Sequence, residues 1–246
     1  MSNKGLVRLT LIILFFLSFN SPIRGSASKN PLLFIDSPGD GSRLTSPIEL
    51  SVEIGGQDPA LIRMTLTDRS GTIIARKLLP VDTNEGSQFD LYSDLAFEIP
   101  NDTSDGLLSI ALLDSSNRPI TLRSASLILL TKGGDQIVAP DQKTEWLTVT
   151  QPQPGEAFSG GSFRVTGTVT PLLQRPVFFE IVTDSGGQIG TRQLPVESAG
   201  EPLDFEIDIP HGYINQERDV RLIIRQSDPK FGETIILDSV PIFLSP

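Results

Sequence analysis

Ile48-Glu49-Leu50-Ser51-Val52-Glu53-Ile54 alternates apolar and polar side chains at every step, so one face of an extended strand is oily and the other wet. A turn segment, Phe34-Ile35-Asp36-Ser37-Pro38-Gly39-Asp40-Gly41, precedes it. That segment returns as Val149-Thr150-Gln151-Pro152-Gln153-Pro154-Gly155, after a step of about 115 residues. The echo continues: Leu66-Thr67-Asp68-Arg69-Ser70-Gly71 matches Val182-Thr183-Asp184-Ser185-Gly186-Gly187, and Phe97-Glu98-Ile99-Pro100 matches Ile207-Asp208-Ile209-Pro210. Solenoid repeats run to roughly 20–50 residues, so this is a duplicated domain.

Period-two patterning recurs at Leu61–Thr67, Thr72–Leu79, Leu107–Leu113 and Ser124–Leu130. In the second copy it recurs at Val177–Thr183, Gln188–Leu194, Phe205–Ile209, Val220–Gln226 and Thr234–Leu244. Short strands bounded by Gly, Pro, Asn and Asp spell an all-β fold, each copy a sandwich of about seven strands. Asp68–Gly71 and Asp184–Gly187 carry hairpin chemistry: Asp bonds back to its own backbone and Gly accepts positive φ. Ile99-Pro100 and Ile209-Pro210 are expected to end a strand in each copy, because Pro donates nothing to a ladder.

The first residues read as a leader. Lys4 and Arg8 precede an apolar run from Leu9 to Phe19, then the small residues Gly25-Ser26-Ala27, so residues 1–27 form a signal peptide cleaved after Ala27. The apolar core is short against the ~20 residues of a membrane span. The remaining chain divides into a first domain at 28–131, a polar linker at 132–145 and a second domain at 146–246. The expected location is secreted or extracytoplasmic, in the cell envelope, with no stable membrane span after cleavage. No cysteine is present, which closes both disulfide stapling and lipid attachment to a Cys, so each domain must stand on its apolar core. Removing Lys4, Arg8 and Arg24 with the leader takes the formal charge from −10 to −13. Nucleic acid is an unsuitable partner for such a surface, since its binding relies on Lys and Arg neutralising phosphate.

Residue chemistry is sparse. The one histidine, His211, is expected on a surface loop; a catalytic triad would need it as base, and no Gly-x-Ser-x-Gly elbow accompanies it. Zinc draws four ligands mostly from Cys and His, and this chain has one such residue. Calcium takes oxygen, and Asp40, Asp68, Asp114, Asp184 and Asp228 sit near turns, while Asp204, Glu206 and Asp208 share one strand face. Their mutual repulsion leaves two readings open, a cation site or a solvated face. Paired acids could also serve a glycoside hydrolase. Gly133-Gly134 and Gly160-Gly161 lack the Lys-Ser/Thr of a phosphate loop, and Asn101-Asp102-Thr103 matches a glycosylation sequon. Trp146 reads as a core or interdomain plug, or else as an exposed platform for sugar.

The ordered motifs Pro38–Gly41, Thr67–Gly71 and Phe97–Pro100, repeated at Pro152–Gly155, Thr183–Gly187 and Ile207–Pro210, resemble the immunoglobulin-like domain of bacterial spore-germination and sporulation proteins. More generally they resemble bacterial immunoglobulin-like or fibronectin-type modules. The resemblance implies two tandem immunoglobulin-like β-sandwich domains and a non-catalytic extracellular accessory role, with no catalytic residue, cofactor or metal ligand to carry over. The expected function is a secreted or surface-associated binding or structural module, meeting an envelope protein or polysaccharide. The loops Val81–Asp94 and Ser198–Asp204 differ most between copies and are its expected contact regions. A calcium-stabilised adhesin or envelope spacer is the alternative.

Overall fold

The computed structural model describes residues 32–56, 59–81, 88–140, 145–212 and 214–246; the leader expected at residues 1–27 lies outside them. Sixteen strands and no helix are present among the described residues. The first half holds β1 (Leu32–Ser37), β2 (Arg43–Thr45), β3 (Ile48–Gly55), β4 (Leu61–Asp68), β5 (Ile73–Pro80), β6 (Phe89–Leu95), β7 (Thr103–Leu113) and β8 (Pro119–Leu130). The second repeats the order as β9 (Leu147–Gln151), β10 (Ala157–Ser159), β11 (Ser162–Val169), β12 (Val177–Thr183), β13 (Gln188–Leu194), β14 (Leu203–Pro210), β15 (Arg218–Asp228) and β16 (Glu233–Ser245).

In each half a three-stranded sheet, β1-β3-β6 or β14-β11-β9, packs on a larger one. The larger sheet runs β5-β4-β7-β8 with β2 parallel to β8, or β13-β12-β15-β16 with β10 parallel to β16. This is the Greek-key arrangement of an immunoglobulin-like sandwich. The alternation read from sequence fills the two cores. Leu50, Val52, Met64, Leu66, Leu108, Ile110 and Leu129 are buried in the first, and Val165, Phe179, Ile181, Leu222, Ile224 and Ile242 in the second.

The sandwiches are not separate beads. β8 pairs antiparallel with β16 through Arg123↔Ile236, Leu122↔Leu237 and Thr121↔Asp238, joining the larger sheets into one of ten strands. Leu122 and Leu237 are 115 positions apart, the step of the repeat. Equivalent strands therefore meet about a local two-fold axis, like the isologous contact of a dimer. Opposed residues of an antiparallel ladder share a face. Ala125 and Leu127 face one core and Ile236 and Val240 the other, so both three-stranded sheets cover the same side of the shared sheet.

Three expectations change. In the first copy the strand stops at Leu95, four residues before Ile99-Pro100, whereas β14 does end on Pro210. The contact loop expected at Val81–Asp94 is a strand from Phe89 onward; Phe89, Leu91, Ser93 and Leu95 alternate with polar residues and pair with β3. Residues 82–87 of that loop lie outside the described residues. The repeat also slips by one at the second hairpin. Asp68 N–H donates to the Thr72 carbonyl and Gly71 N–H to the Asp68 carbonyl, and the same two bonds in the second half join Thr183 with Gly187 and Gly186 with Thr183. Thr183, not Asp184, thus holds the place of Asp68, and Asp184 is released for another contact.

Candidate functional site

His211 follows β14, but its side chain is only 6 % exposed, contrary to the surface position expected for it. Its backbone N–H donates to the Gly161 carbonyl at 2.9 Å, and its ring centroid lies 6.0 Å from that of Phe163. Among the described residues neither ring nitrogen makes a hydrogen bond of good geometry, and the Gly212 backbone is the polar group that acts on the ring. Burial disfavours the imidazolium and pushes the pKa down, so the ring stays neutral near pH 7. Among the described residues no nucleophile or orienting acid is bonded to the ring, the arrangement a catalytic relay uses.

The acidic face of β14 already carries its cation. Arg164 on β11 places Nε 3.0 Å from Asp208 Oδ1 and Nη1 2.6 Å from Glu206 Oε1, while Thr168 Oγ1 donates to Asp204 Oδ1 at 2.7 Å. The hydrogen bond and charge of Arg164 hold Asp208 below the usual carboxylate range, and the acids raise Arg164 in turn. The solvated-face reading fits this geometry, since the guanidinium relieves the repulsion that would have recruited calcium. Three of the turn acids cap their own loops, whereas Asp40 Oδ1 accepts from the distant Ser126 N–H. Asp68 Oδ1 accepts from the N–H groups of Ser70 and Thr72, Asp114 Oδ1 from those of Ser116 and Arg118, and Asp228 Oδ1 from that of Lys230. Among the described residues no group of three or more acidic or His side chains could hold a metal ion.

Polar chemistry concentrates instead where the halves join. Trp146 is 3 % exposed, the plug its position suggested. Its Nε1–H donates to Asp238 Oδ2 at 2.6 Å. Arg123 Nη2 reaches the same oxygen at 3.0 Å, Arg123 Nη1 reaches Oδ1 at 3.1 Å, and Thr121 Oγ1 also donates to Oδ1. The side chains of Arg123 and Asp238 are 16 % and 13 % exposed. They occupy equivalent places in the two copies with opposite charge, so the pair recognises its other half and not itself. The cavity beside them, lined by Glu145, Leu147, Asp238 and Val240, holds about 30 Å³. That is room for a water, not a sugar, so these two acids do not frame a glycosidase site.

Each half also reaches across with its last hairpin. From the β7–β8 turn, Arg118 pairs with the released Asp184, and Asp114 Oδ2 accepts from Arg118 Nε at 2.8 Å and from Arg221 Nη2 at 2.9 Å. Desolvation works against the Asp114 charge, yet the backbone and side-chain donors of Arg118, the Ser116 N–H and Arg221 hold its pKa low. Burial lowers Arg221, and Asp114 opposes it. From the β15–β16 turn, Lys230 lies 3.2 Å from Asp105, and Phe231 packs in the cluster that contains Leu107. Arg123, Asp238, Arg118 and Arg221 were not singled out by the sequence reading. The opposite charges at matched positions were visible there, but their pairing depends on β8 meeting β16.

The remaining loop, Ser198–Asp204, is pinned by the Gly200 N–H to the Pro171 carbonyl, 2.8 Å, and its last two residues belong to β14. A groove of about 330 Å³ on the uncovered side of the shared sheet is lined by Arg63, Thr65, Arg76, Ser109, Glu233 and Leu237, with a single carboxylate. Among the described residues no helix is long and apolar enough to cross a membrane.

No protein-family model matches the chain, and no curated protein matches it. Among solved structures it is similar to the Salmonella enterica SafA pilin in complex with the SafB chaperone, at 12 % identity over 85 % of this chain and 95 % of that one, with a TM-score of 0.28. It is also similar to the titin domains z1z2 in complex with telethonin, at 10 % identity over 86 % and 94 % with a TM-score of 0.23. The collagen adhesin of S. aureus aligns at 9 % identity over 89 % and 93 % with a TM-score of 0.17. At these values the likeness carries no argument about partners or activity. The chain is an all-β protein of immunoglobulin-like sandwiches on the evidence of its own strand order.

Proposed function

We propose that this chain is a secreted or cell-surface-associated binding or structural module without catalytic activity. The observation that carries the reading is the shared ten-stranded sheet, in which Arg123, Asp238, Trp146, Asp114 and Arg221 hold two sandwiches in one orientation. Several of the acids singled out above are engaged at that junction, in turn caps or by Arg164, and His211 is buried beside Phe163. A platform of this kind presents faces and strand edges at a set distance, which suits spacing or recognition outside the cytoplasm. The leader reading, the lack of cysteine and the resemblance to spore-germination domains support the same compartment and accessory role. The partner is an envelope protein or polysaccharide rather than nucleic acid. The test is a pull-down from envelope material with residues 28–246 as bait. Retention of a protein or polysaccharide is expected, and recovery of neither counts against the binding role.

A further inference from the structure

The two copies differ in what lies along their short parallel strands. In the first half, β2 pairs with β8 on one side, and a bridge between Arg43 and Gln136 occupies its other side. Arg43 N–H donates to the Gln136 carbonyl at 2.9 Å and Gln136 N–H to the Arg43 carbonyl at 2.8 Å. Asp135 Oδ1 accepts from both the N–H and the hydroxyl of Thr45, at 2.7 and 2.8 Å. Upstream, Lys132 Nζ lies 3.9 Å from Asp102. Part of the segment expected to be a linker, residues 135–138, is therefore laid along the edge of β2 through a single antiparallel bridge.

In the second half the same edge is open. β10 has β16 as its ladder partner and, among the described residues, no strand or bridge on its other side. Phe243 N–H bonds the Glu156 carbonyl at 2.9 Å, as Ile128 N–H bonds that of Ser42, so the N–H and C=O of Ala157 are directed outward as those of Arg43 are. Ser159 stands where Thr45 does and offers the same two donors. A groove of about 450 Å³ opens beside the start of this edge and runs over the end of β16 toward β15, lined by Pro154, Gly155, Ala157, Glu217, Phe243 and Ser245. Its apolar floor is Phe243, 46 % exposed, and its one charged side chain is Glu217, just before β15 as Asp102 stands just before β7.

We infer that this groove accepts an extended segment of a partner polypeptide, added antiparallel to β10. The segment carries a basic residue three positions before a carboxylate, followed by apolar residues, as Lys132 precedes Asp135 and Ile137. The carboxylate meets the N–H and hydroxyl of Ser159, and the cation meets Glu217. Strand addition of this kind draws affinity from main-chain bonds and selectivity from the flanking side chains. The segment must leave the edge early. In the first half an added Cβ on Gly39 would stand 2.7 Å from the Pro140 nitrogen, and the second half has Gln153 in place of that glycine. This inference rests on the binding role proposed above and names its site.

The probe is a fluorescent peptide of residues 131–138, Thr-Lys-Gly-Gly-Asp-Gln-Ile-Val, titrated by anisotropy with the chain from residue 28 to 246. Saturable binding is expected, with a scrambled peptide inert. Ser159→Ala in the protein, or Asp135→Asn in the peptide, weakens binding at least about tenfold, as loss of a charge-assisted hydrogen bond does. Glu217→Lys weakens it as well, and Lys132→Glu in the peptide restores it. Absence of saturation up to about 1 mM overturns the inference. So does undiminished binding to both protein variants, which would place the peptide at the first half's edge. Self-association of the chain that Glu217→Lys abolishes also overturns it, because the occupant would then be a second copy. An envelope pull-down with the Glu217→Lys bait separates the two readings: a partner still retained leaves the binding role standing on another surface.

Discussion

Replacing Asp238 by Ala should loosen the joint between the sandwiches more than any surface change could. The carboxylate accepts four donors: Thr121 Oγ1, both terminal nitrogens of Arg123 and Trp146 Nε1. Removing one partner of a fully buried ion pair costs about 3–5 kcal/mol. Arg123 keeps bonds from Nη1 to the Leu122 and Leu237 carbonyls, 2.9 and 3.1 Å, and is 16 % exposed, so about 2–3 kcal/mol applies to it. The buried indole N–H of Trp146, left without an acceptor, adds about 1–2 kcal/mol. The expected loss is about 3–5 kcal/mol in total, measured by urea denaturation. The chain's single Trp is at the joint, so its fluorescence follows this site while circular dichroism follows the sandwiches. In the parent the two signals should fall together. In Asp238→Ala the fluorescence transition should come first. A double-mutant cycle with Arg123→Ala should return a coupling of at least about 2 kcal/mol, since directly bonded residues are strongly non-additive. A loss below about 1 kcal/mol with coupling near zero would refute the view that this pair fastens the halves.

Three further outcomes test other parts of the fold. His211 has a folded pKa pushed down by burial, so stability should be complete above pH ~6.5 and decline on acidification, as the unfolded chain takes up a proton that the folded ring refuses. His211→Phe should flatten the urea midpoint between pH 7.5 and 5.5, and an unchanged slope would show that the ring does not control this window. Gln226 is fully buried, its Oε1 accepting from Leu172 and Leu173 N–H and its Nε2 donating to the Leu173 and Arg175 carbonyls. Gln226→Leu should cost about 2–4 kcal/mol by stranding those backbone groups, and hydrogen exchange at Leu172 and Leu173 should accelerate. Gly167→Ala would bring a Cβ within 2.1 Å of the Thr148 carbonyl oxygen and should destabilise by about 3 kcal/mol or more, whereas Gly134→Ala meets nothing within 4 Å and should stay within about 0.5 kcal/mol. Similar midpoints for the two glycine variants would contradict the close approach of β9 to β11.

Much of the fold is legible one strand at a time. Val177–Thr183 and Gln188–Leu194 have the bounds their alternation predicts, and β4 and β15 differ by only a residue or two at their ends. Turn chemistry is equally local, which is why Asp68, Asp114 and Asp228 fold back where Asp and Gly suggest. β6 was readable in the same way, but its alternation, Phe89-Asp90-Leu91-Tyr92-Ser93-Asp94-Leu95, is interrupted by Ser93 on the inner face and has the appearance of a polar loop. His211 escapes local reading for a different reason. Its burial depends on Phe163 and Gly161, both about fifty residues earlier in the chain.

The sequence by itself determined that this chain is all-β, that it contains the same sandwich twice, and that its turns need Asp and Gly where they stand. Those properties follow from side-chain period and backbone sterics, which act within a few residues. Only the tertiary structure decided that β8 and β16 share one sheet, that Asp184 is released by a one-residue slip to meet Arg118, and that residues 135–138 cover the edge of β2 while the edge of β10 stays open. Strand pairing is made by backbone groups that every residue carries, so the pattern of side chains states which residues face inward but not which edge meets which. Arg123 and Asp238 show the limit most clearly: opposite charges at one position of the repeat are plain in the sequence, and they become a bond only when the two copies are joined edge to edge about their axis.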